Sequence, residues 1–496
     1  MRYCSTRDRG QTVNGCQAII RGVSAEGGLF VPTAFPRLDR ADFRRLAELS
    51  YVELAAEILS LYLPELSEVL PSACAQAYAP EKFGAVQPVR LRNLGGRRTV
   101  LELWHGPTLA FKDMALQLMP HLLTRSLEAE RDGRDALILT ATSGDTGKAA
   151  LEGFSDVPGV EVAVFYPARG VGEVPRLQMA THPARNTHVF AVDGNFDDTQ
   201  TGVKRIFADP ELAALAAGRG AFLSSANSIN IGRLLPQVVY YLYAYLELLR
   251  TGALTEEEAF RIAVPTGNFG NILAAWYAAR MGVPVCRLLC ASNQNHILTD
   301  FFATGRYDLH RDFHKTLSPS MDILISSNLE RLLFELLDRD DATCADLMAQ
   351  LADGRQYSLP ERALSVAGRF SGHWAGDAET TATIGRVFAQ EGYCIDPHTA
   401  VAFSAADALP EQGVATLIVS TASPFKFPAA VLGGLGLPAS ADEFDNIDRL
   451  SRKIGAPVPQ SLAALRHAVI RFDQVYTQGQ MRSAVADLLS HRTGRS

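Results

Sequence analysis

The feature that most constrains this chain is an alternation of short apolar runs with spacers long enough for a crossover helix. The runs are 136–141, 160–166, 188–193, 221–225, 262–266, 283–290 and 416–420. Runs of this length that are apolar throughout, rather than at every second position, belong to strands buried on both faces. Helix-length spacers between them predict parallel sheets covered by helices, an α/β fold. The first four runs sit close together, which predicts a smaller α/β unit over 116–235 inserted in a larger one made of 81–115 and 236–496.

Ahead of these runs the pattern differs. A Gly- and Pro-punctuated piece over 22–32 gives way to helical spacing over 42–63, where Leu46, Leu49, Val52, Leu54, Ile58 and Leu61 fall on overlapping faces. Residues 1–80 are therefore expected to form a small, mostly helical N-terminal domain. At the other end, 461–491 reads as an amphipathic helix that packs and carries no chemistry.

Composition matters here for what it excludes. A net charge of -7 argues against a nucleic-acid surface, so local basic groups and backbone N–H groups must hold any anionic small molecule. The seven cysteines are odd in number and scattered, which fits a reducing compartment, and a cytoplasmic protein is read. Cys286 and Cys290 lie nearest one another, but no second cluster accompanies them; no metal site is assigned and both are expected in the core. The N-terminus shows no apolar signal segment. The most apolar long stretch, 234–249, carries Gln237 and Glu247 and falls short of the roughly 20 residues a membrane span needs. No membrane association is read, and the sequence fixes no oligomeric state.

The chemistry centres on 104–116. Lys112 follows Ala110 and Phe111 and precedes Met114, Ala115 and Leu116. Apolar flanks draw its ammonium inward, where desolvation favours the neutral amine. A neutral amine is a nucleophile and forms a Schiff base with a carbonyl, pyridoxal phosphate being the commonest cofactor held this way. A lone lysine also fits a snorkelling surface position, so other segments have to decide.

Those segments share the form strand, turn, helix start. After the run 262–266 comes Gly267-Asn268-Phe269-Gly270-Asn271 and then an apolar helix. Backbone N–H groups and the positive helix end converge there on a point suited to phosphate, although such a turn also serves as an ordinary connection. No Gly-Lys-Ser/Thr follows, so it is not a Walker A loop. Thr142-Ser143-Gly144-Asp145-Thr146-Gly147-Lys148 offers hydroxyls and N–H groups suited to a carboxylate, with Ser143 or Thr146 alternatively capping the helix. Asn227-Ser228-Ile229-Asn230-Ile231-Gly232-Arg233 gathers amides, a hydroxyl and a guanidinium about a helix start, a set suited to phosphate or to simple capping. Ser420-Thr421-Ala422-Ser423 closes the last strand, at the end where ligands gather in parallel sheets.

Together and in this order, HGPTLAFKD at 105–113, SAEGGLFVP at 24–32 and the segments above resemble the threonine synthase family, a fold-type II, tryptophan synthase β-like group of pyridoxal-phosphate enzymes. The resemblance implies two parallel-sheet α/β domains beside the small N-terminal helical domain, and Lys112 as the lysine that holds the cofactor and acts as base. By position, it implies Gly267, Asn268, Phe269 and Asn271 around the cofactor phosphate, and Thr421 facing the pyridine nitrogen. It further implies Ser143, Gly144, Asp145 and Thr146 on the substrate carboxylate, and Asn227, Ser228 and Arg233 on the phosphate of O-phospho-L-homoserine. The implied reaction turns that substrate and water into L-threonine and phosphate. Segments 318–323, 326–331 and 396–400 also match family signatures, without roles for their residues, and His105 and His398 are acid/base options. Departures at 11–15 and 171–176 touch no cofactor position. The alternatives are a threonine-synthase-like phospholyase or other fold-type II lyase that stops at the keto acid, and a pyridoxal-phosphate-binding sensor without turnover. The cluster Asn227 to Arg233 argues against a substrate without phosphate.

Overall fold

The computed structural model describes residues 1–84, 87–142, 144–169 and 171–491, without the side chains of residues 197, 365 and 366. The chain opens with β1 (Arg2–Ser5), flanked antiparallel by β2 (Thr12–Asn14) and β3 (Phe30–Pro32). The helical reading of residues 1–80 did not contain this small sheet, because strands of three or four residues are too short to show an alternation. The spacing over 42–63 resolves into two helices, Arg40–Leu46 and Tyr51–Tyr62. Ser50 separates them by starting the second with a reciprocal cap, in which its hydroxyl accepts from Glu53 N and the Glu53 carboxylate accepts from Ser50 N at 2.9 Å.

The remaining strands, in chain order, begin with β4 (Arg90–Leu94), β5 (Arg98–Glu102), β6 (Asp135–Ala141), β7 (Val160–Pro167), β8 (Thr187–Asp193) and β9 (Ala221–Ser225). There follow β10 (Phe260–Pro265), β11 (Val285–Ser292), β12 (Arg306–Asp308), β13 (Gln356–Ser358), β14 (Phe370–Trp374), β15 (Ala415–Ser420) and β16 (Val475–Thr477). Among the described residues one sheet has the order β14-β11-β10-β15-β5-β4 and is parallel except for β4. A second sheet, β16-β8-β7-β6-β9, is parallel throughout. The apolar runs of the sequence are β6 to β11 and β15. β10 and β15 are buried along their whole length, as a strand covered on both faces should be.

Two expectations are corrected. Residues 461–491 are not one helix: a short helix at Gln460–Ala463 and a 3-10 turn at Ala464–His467 are followed by extended chain, β16, and the helix Met481–His491. β16 adds to the edge of β8, and Met481, Val485 and Leu489 pack with Val203, Ile206 and Leu212. Three residues are too few to show an alternation in the sequence. On β11, Cys290 is buried but Cys286 is exposed. Four residues apart, they share a face of the strand, so the difference lies in position along it, start against middle.

The stretch 234–249 lies within the helix Ile231–Arg250, which is buried nearly all round. Among the described residues no helix is long and apolar enough to cross a membrane.

Candidate active site

β5 and β15 run side by side, and the ladder continues past Glu102 through Leu103 N donating to Ser420 O at 3.0 Å. The loop that follows β5 then crosses the end of β15. Phe111 N donates to Thr421 O at 2.8 Å and Ser423 N to Leu109 O at 3.0 Å, bridging Ala110 and Ala422. This stitch puts Lys112 beside Thr421 at the carboxyl edge of a parallel sheet. The loop is tight. Leu109 has φ 60°, and a Cβ at Gly106 would stand 2.5 Å from Asp113 Oδ2. Asp113 closes the turn by accepting from Thr108 N and Thr108 Oγ1, both at 2.8 Å. Burial pushes its carboxyl up to about 7 despite those bonds.

Lys112 Nζ lies 3.9 Å from Asp145 Oδ2, its side chain 14% exposed. Asp145 is shared: Lys426 Nζ donates to its other oxygen, and Ser320 Oγ donates to Oδ2 at 3.0 Å. Lys426, itself buried, also donates to Thr108 O at 3.0 Å. Burial is the main reason that the Lys112 amine is lowered to about 8; Asp145 opposes the shift, and Lys426 and Arg233 add to it. Burial alone would raise the Asp145 carboxyl, but the two ammonium groups hold it well below the usual carboxylate range.

The turn after β10 is built for close approach. A Cβ at Gly267 would meet Ser320 O at 2.8 Å, and Ser326 Oγ donates to Gly267 O at 2.7 Å. Phe269 has φ 63°, and the helix Gly270–Met281 starts there with no side-chain cap. Its first N–H groups are therefore left to a ligand or to solvent. Asn271 Oδ1 accepts from Tyr240 and Tyr241, each at 2.6 Å, which fixes the amide and leaves its buried Nδ2 without an acceptor. Ser320 thus connects this turn to Asp145, and Asp145 connects it to Lys112.

In the segment 227–233, Asn230 caps the helix Ile231–Arg250, its Oδ1 accepting from Gly232 N at 2.9 Å. Asn227 N donates to Ser225 Oγ at 3.2 Å, and Ser228 Oγ accepts from Asn328 Nδ2 at 3.2 Å. Arg233 is 3% exposed. Its Nη1 donates to Ala226 O, its Nε is buried without a partner, and burial lowers it to about 10. Among the described residues no carboxylate forms an ion pair with it, an arrangement that favours an incoming anion.

Other expectations divide. Ser143 lies outside the described residues. The hydroxyl that accepts from Gly144 N (2.9 Å) and Gly147 N (3.0 Å) belongs to Thr142, and Thr146 does not cap the helix Asp145–Gly153. Because the Asp145 carboxylate is committed to two lysines and Gly144 N to Thr142, the backbone N–H groups of Asp145 and Thr146 are what remain for an anion. His398 has both ring nitrogens engaged: Nδ1 with Asp396 Oδ2 at 2.6 Å, and Nε2 accepting from Ser320 N at 3.1 Å. It holds the loop that carries Ser320 and has no free proton site. His105 Nε2 pairs with Glu102 Oε2 at 2.8 Å, and Tyr393 donates to the other oxygen, Oε1, at 2.7 Å. Lys426 and Ser320 went unassigned in the sequence. Lys426 carries the same signal as Lys112, apolar neighbours at Pro424, Phe425 and Phe427.

Residues 2–78 match the family model "Threonine synthase N terminus", and residues 88–420 match "Pyridoxal-phosphate dependent enzyme". The threonine synthase of Pseudomonas aeruginosa is 40% identical over 462 residues, covering 90% of this chain and 95% of that protein. Human threonine synthase-like 1 is 40% identical over 436 residues, 84% of this chain; the match spans only 58% of that longer protein. A crystal structure of pyridoxal-phosphate-bound threonine synthase from Brucella melitensis superposes with a TM-score of 0.88, at 35% identity, over 100% of both chains.

Proposed function

The chain belongs to the threonine synthase family of pyridoxal-phosphate-dependent enzymes, and from that premise we propose that it converts O-phospho-L-homoserine and water to L-threonine and inorganic phosphate. The observation that carries the reading is the convergence on Asp145. One largely buried carboxylate, at the start of the helix after β6, reaches Lys112, Lys426 and Ser320, and the last of these abuts the turn at Gly267.

The donors around that turn fit pyridoxal phosphate. The uncapped N–H groups at Gly270 and Asn271, the orphaned Asn271 Nδ2 and the bare backbone of Gly267 and Asn268 form a cradle for its phosphate, walled by Phe269. Thr421, beside Lys112, offers a hydroxyl rather than a carboxylate to a pyridine nitrogen. When bound, the cofactor supplies a carbonyl for an amine and a ring that takes up electron density from the substrate's α-carbon.

The protein's own groups do the rest. Lys112, lowered to about 8, offers an appreciable neutral fraction near neutral pH and takes the α-proton. Lys426 keeps Asp145 ionised and holds the Lys112 loop through Thr108 O. The backbone N–H groups of Asp145 and Thr146 bind the substrate carboxylate. Asn227, Ser228 and Arg233 bind the substrate phosphate, which leaves from the γ-carbon before water adds at the β-carbon. On this reading 1–80 is an N-terminal domain, 116–235 a small lobe, and 81–115 with 236–496 a large one, and the lobes meet at the Asp145–Lys426 pair. The same reading makes it a cytoplasmic enzyme of small-molecule metabolism with no nucleic-acid partner.

The test is a visible spectrum of the purified protein before and after O-phosphohomoserine, with product analysis. A cofactor band that the substrate perturbs, with phosphate and threonine formed in equal amounts, is expected. Formation of 2-oxobutyrate in place of threonine would make the protein a phospholyase, and a band without phosphate release would make it a sensor.

A further inference from the structure

The segment 326–331 touches both anion-suited loops and has no role in the reaction as described above. Asn328, wholly buried, donates to Asn268 O at 3.1 Å from its backbone N and again at 3.1 Å from Nδ2, which also reaches Ser228 Oγ at 3.2 Å. One amide therefore holds the turn after β10 and the segment 227–233 together. The two loops also approach through bare backbone: a Cβ at Gly270 would stand 3.5 Å from Asn328 Nδ2 and 3.8 Å from Ser228 Cβ.

Arg331, also wholly buried, spreads its guanidinium over neutral oxygens: Phe30 O on β3 at 2.9 Å, Ile229 O, and Asn328 Oδ1. Among the described residues no carboxylate forms an ion pair with it. A buried cation held only by neutral acceptors is costly, and the same carbonyls could be tied by a neutral amide. Its charge makes sense beside sites that receive anions. The adjacent Glu330 accepts from Thr6 Oγ1 at 2.6 Å and from Arg7 Nε and Nη2 at 2.8 Å each, which anchors the segment in the N-terminal part of the chain.

We propose that Asn328 and Arg331 are positioning residues that fix the distance between the cofactor-phosphate site and the substrate-phosphate site. The inference rests on reading 267–271 and 227–233 as those two sites. Neither residue touches substrate: Asn328 sets the separation, and Arg331 orients Asn328 and Ile229 while adding positive potential.

The experiment measures two dissociation constants separately on the full chain, that of pyridoxal phosphate for the apoprotein and that of inorganic phosphate for the holoenzyme. With the first site filled, inorganic phosphate reports the second. Asn328→Ala should weaken both by about tenfold each. Arg331→Lys, which keeps the charge and loses the fork, should weaken both by a smaller factor and carries the test if Asn328→Ala does not fold. A variant that melts earlier while both constants stay within roughly twofold of the parent would reduce these residues to structural ties and overturn the proposal. Arg233→Ala separates the two failures. If it loses inorganic phosphate while Asn328→Ala retains it, positioning is wrong and the site reading stands; if Arg233→Ala retains it too, the reading of 227–233 falls.

Discussion

The helix starts at Phe269 and at Asn230 both face the candidate site, yet they are finished in opposite ways. At Asn230 the side chain caps its own helix, so the exposed N–H groups are partly spent and positive charge has to come from a side chain, Arg233. At Phe269 nothing caps the helix, and the turn offers peptide dipoles, a fixed amide and glycine backbone without a formal charge. Rigid dipoles suit an anion that stays and must be held in one geometry. A guanidinium with an unused Nε suits an anion that arrives, reacts and leaves. On the proposed function, the contrast would let a resident and a transient phosphate be told apart in one cleft.

The comparison matters only if one reactive amine stands between the two sites. Replacing Lys112 with Ala is therefore expected to have the largest effect, a loss of turnover of about a thousandfold or more together with the cofactor's visible band. A borohydride-reducible yellow adduct surviving in that variant would move the amine elsewhere. Next in size is Arg233→Ala. Charge-assisted bonds of about 1.5 to 3 kcal/mol predict a fall in kcat/KM of roughly ten- to 150-fold, with the cofactor retained. Loss of the cofactor instead would invert the assignment of the two sites.

Gly267→Ala probes the other side. The new Cβ would press on Ser320 O, a backbone atom, and overpacking of about 1 to 2 kcal/mol should weaken pyridoxal phosphate binding about tenfold. Inorganic phosphate binding to the loaded protein should hold, and parallel loss of both, measured by titration, would erase the distinction between the sites.

The smallest effect is on pH dependence. Lys112 titrates near 8 in the fold against 10.5 for the ordinary amine. Between those values the unfolded chain binds more protons than the folded one, so apoprotein stability should rise with pH across that window, and the cost of the buried ammonium is fully present below it. Reaction of the apoprotein with a carbonyl reagent should have its midpoint near 8. Lys426→Met removes a neighbouring cation and should move that midpoint upward; a downward move would place Lys426 outside the reach of Lys112.

Much of this was legible in the chain because its causes are local. An apolar run buried on both faces announces itself residue by residue, which is why β6 to β11 and β15 stand where the runs stand. Lys112 is marked by its flanks, and the turn 267–271 by glycines between a strand and an apolar helix. β16 was not legible, since three residues leave no pattern, and its partner β8 lies far back in the sequence. Lys426 had the flanks of a buried lysine but no neighbour in sequence to give it a task.

Sequence alone therefore determined the layered parallel architecture, a lysine drawn inward at Lys112 and two helix starts suited to anions, because periodicity, apolar flanks and turn chemistry act over a few residues. Only the tertiary structure decided what each group faces. Ser320 reaches Asp145 across 175 positions and Asn328 reaches Ser228 across 100, and contacts that distant arise from how the layers pack, which no local pattern encodes. The same packing set the Asp145 carboxylate against Lys112 and Lys426 and brought His398 Nε2 to Ser320 N.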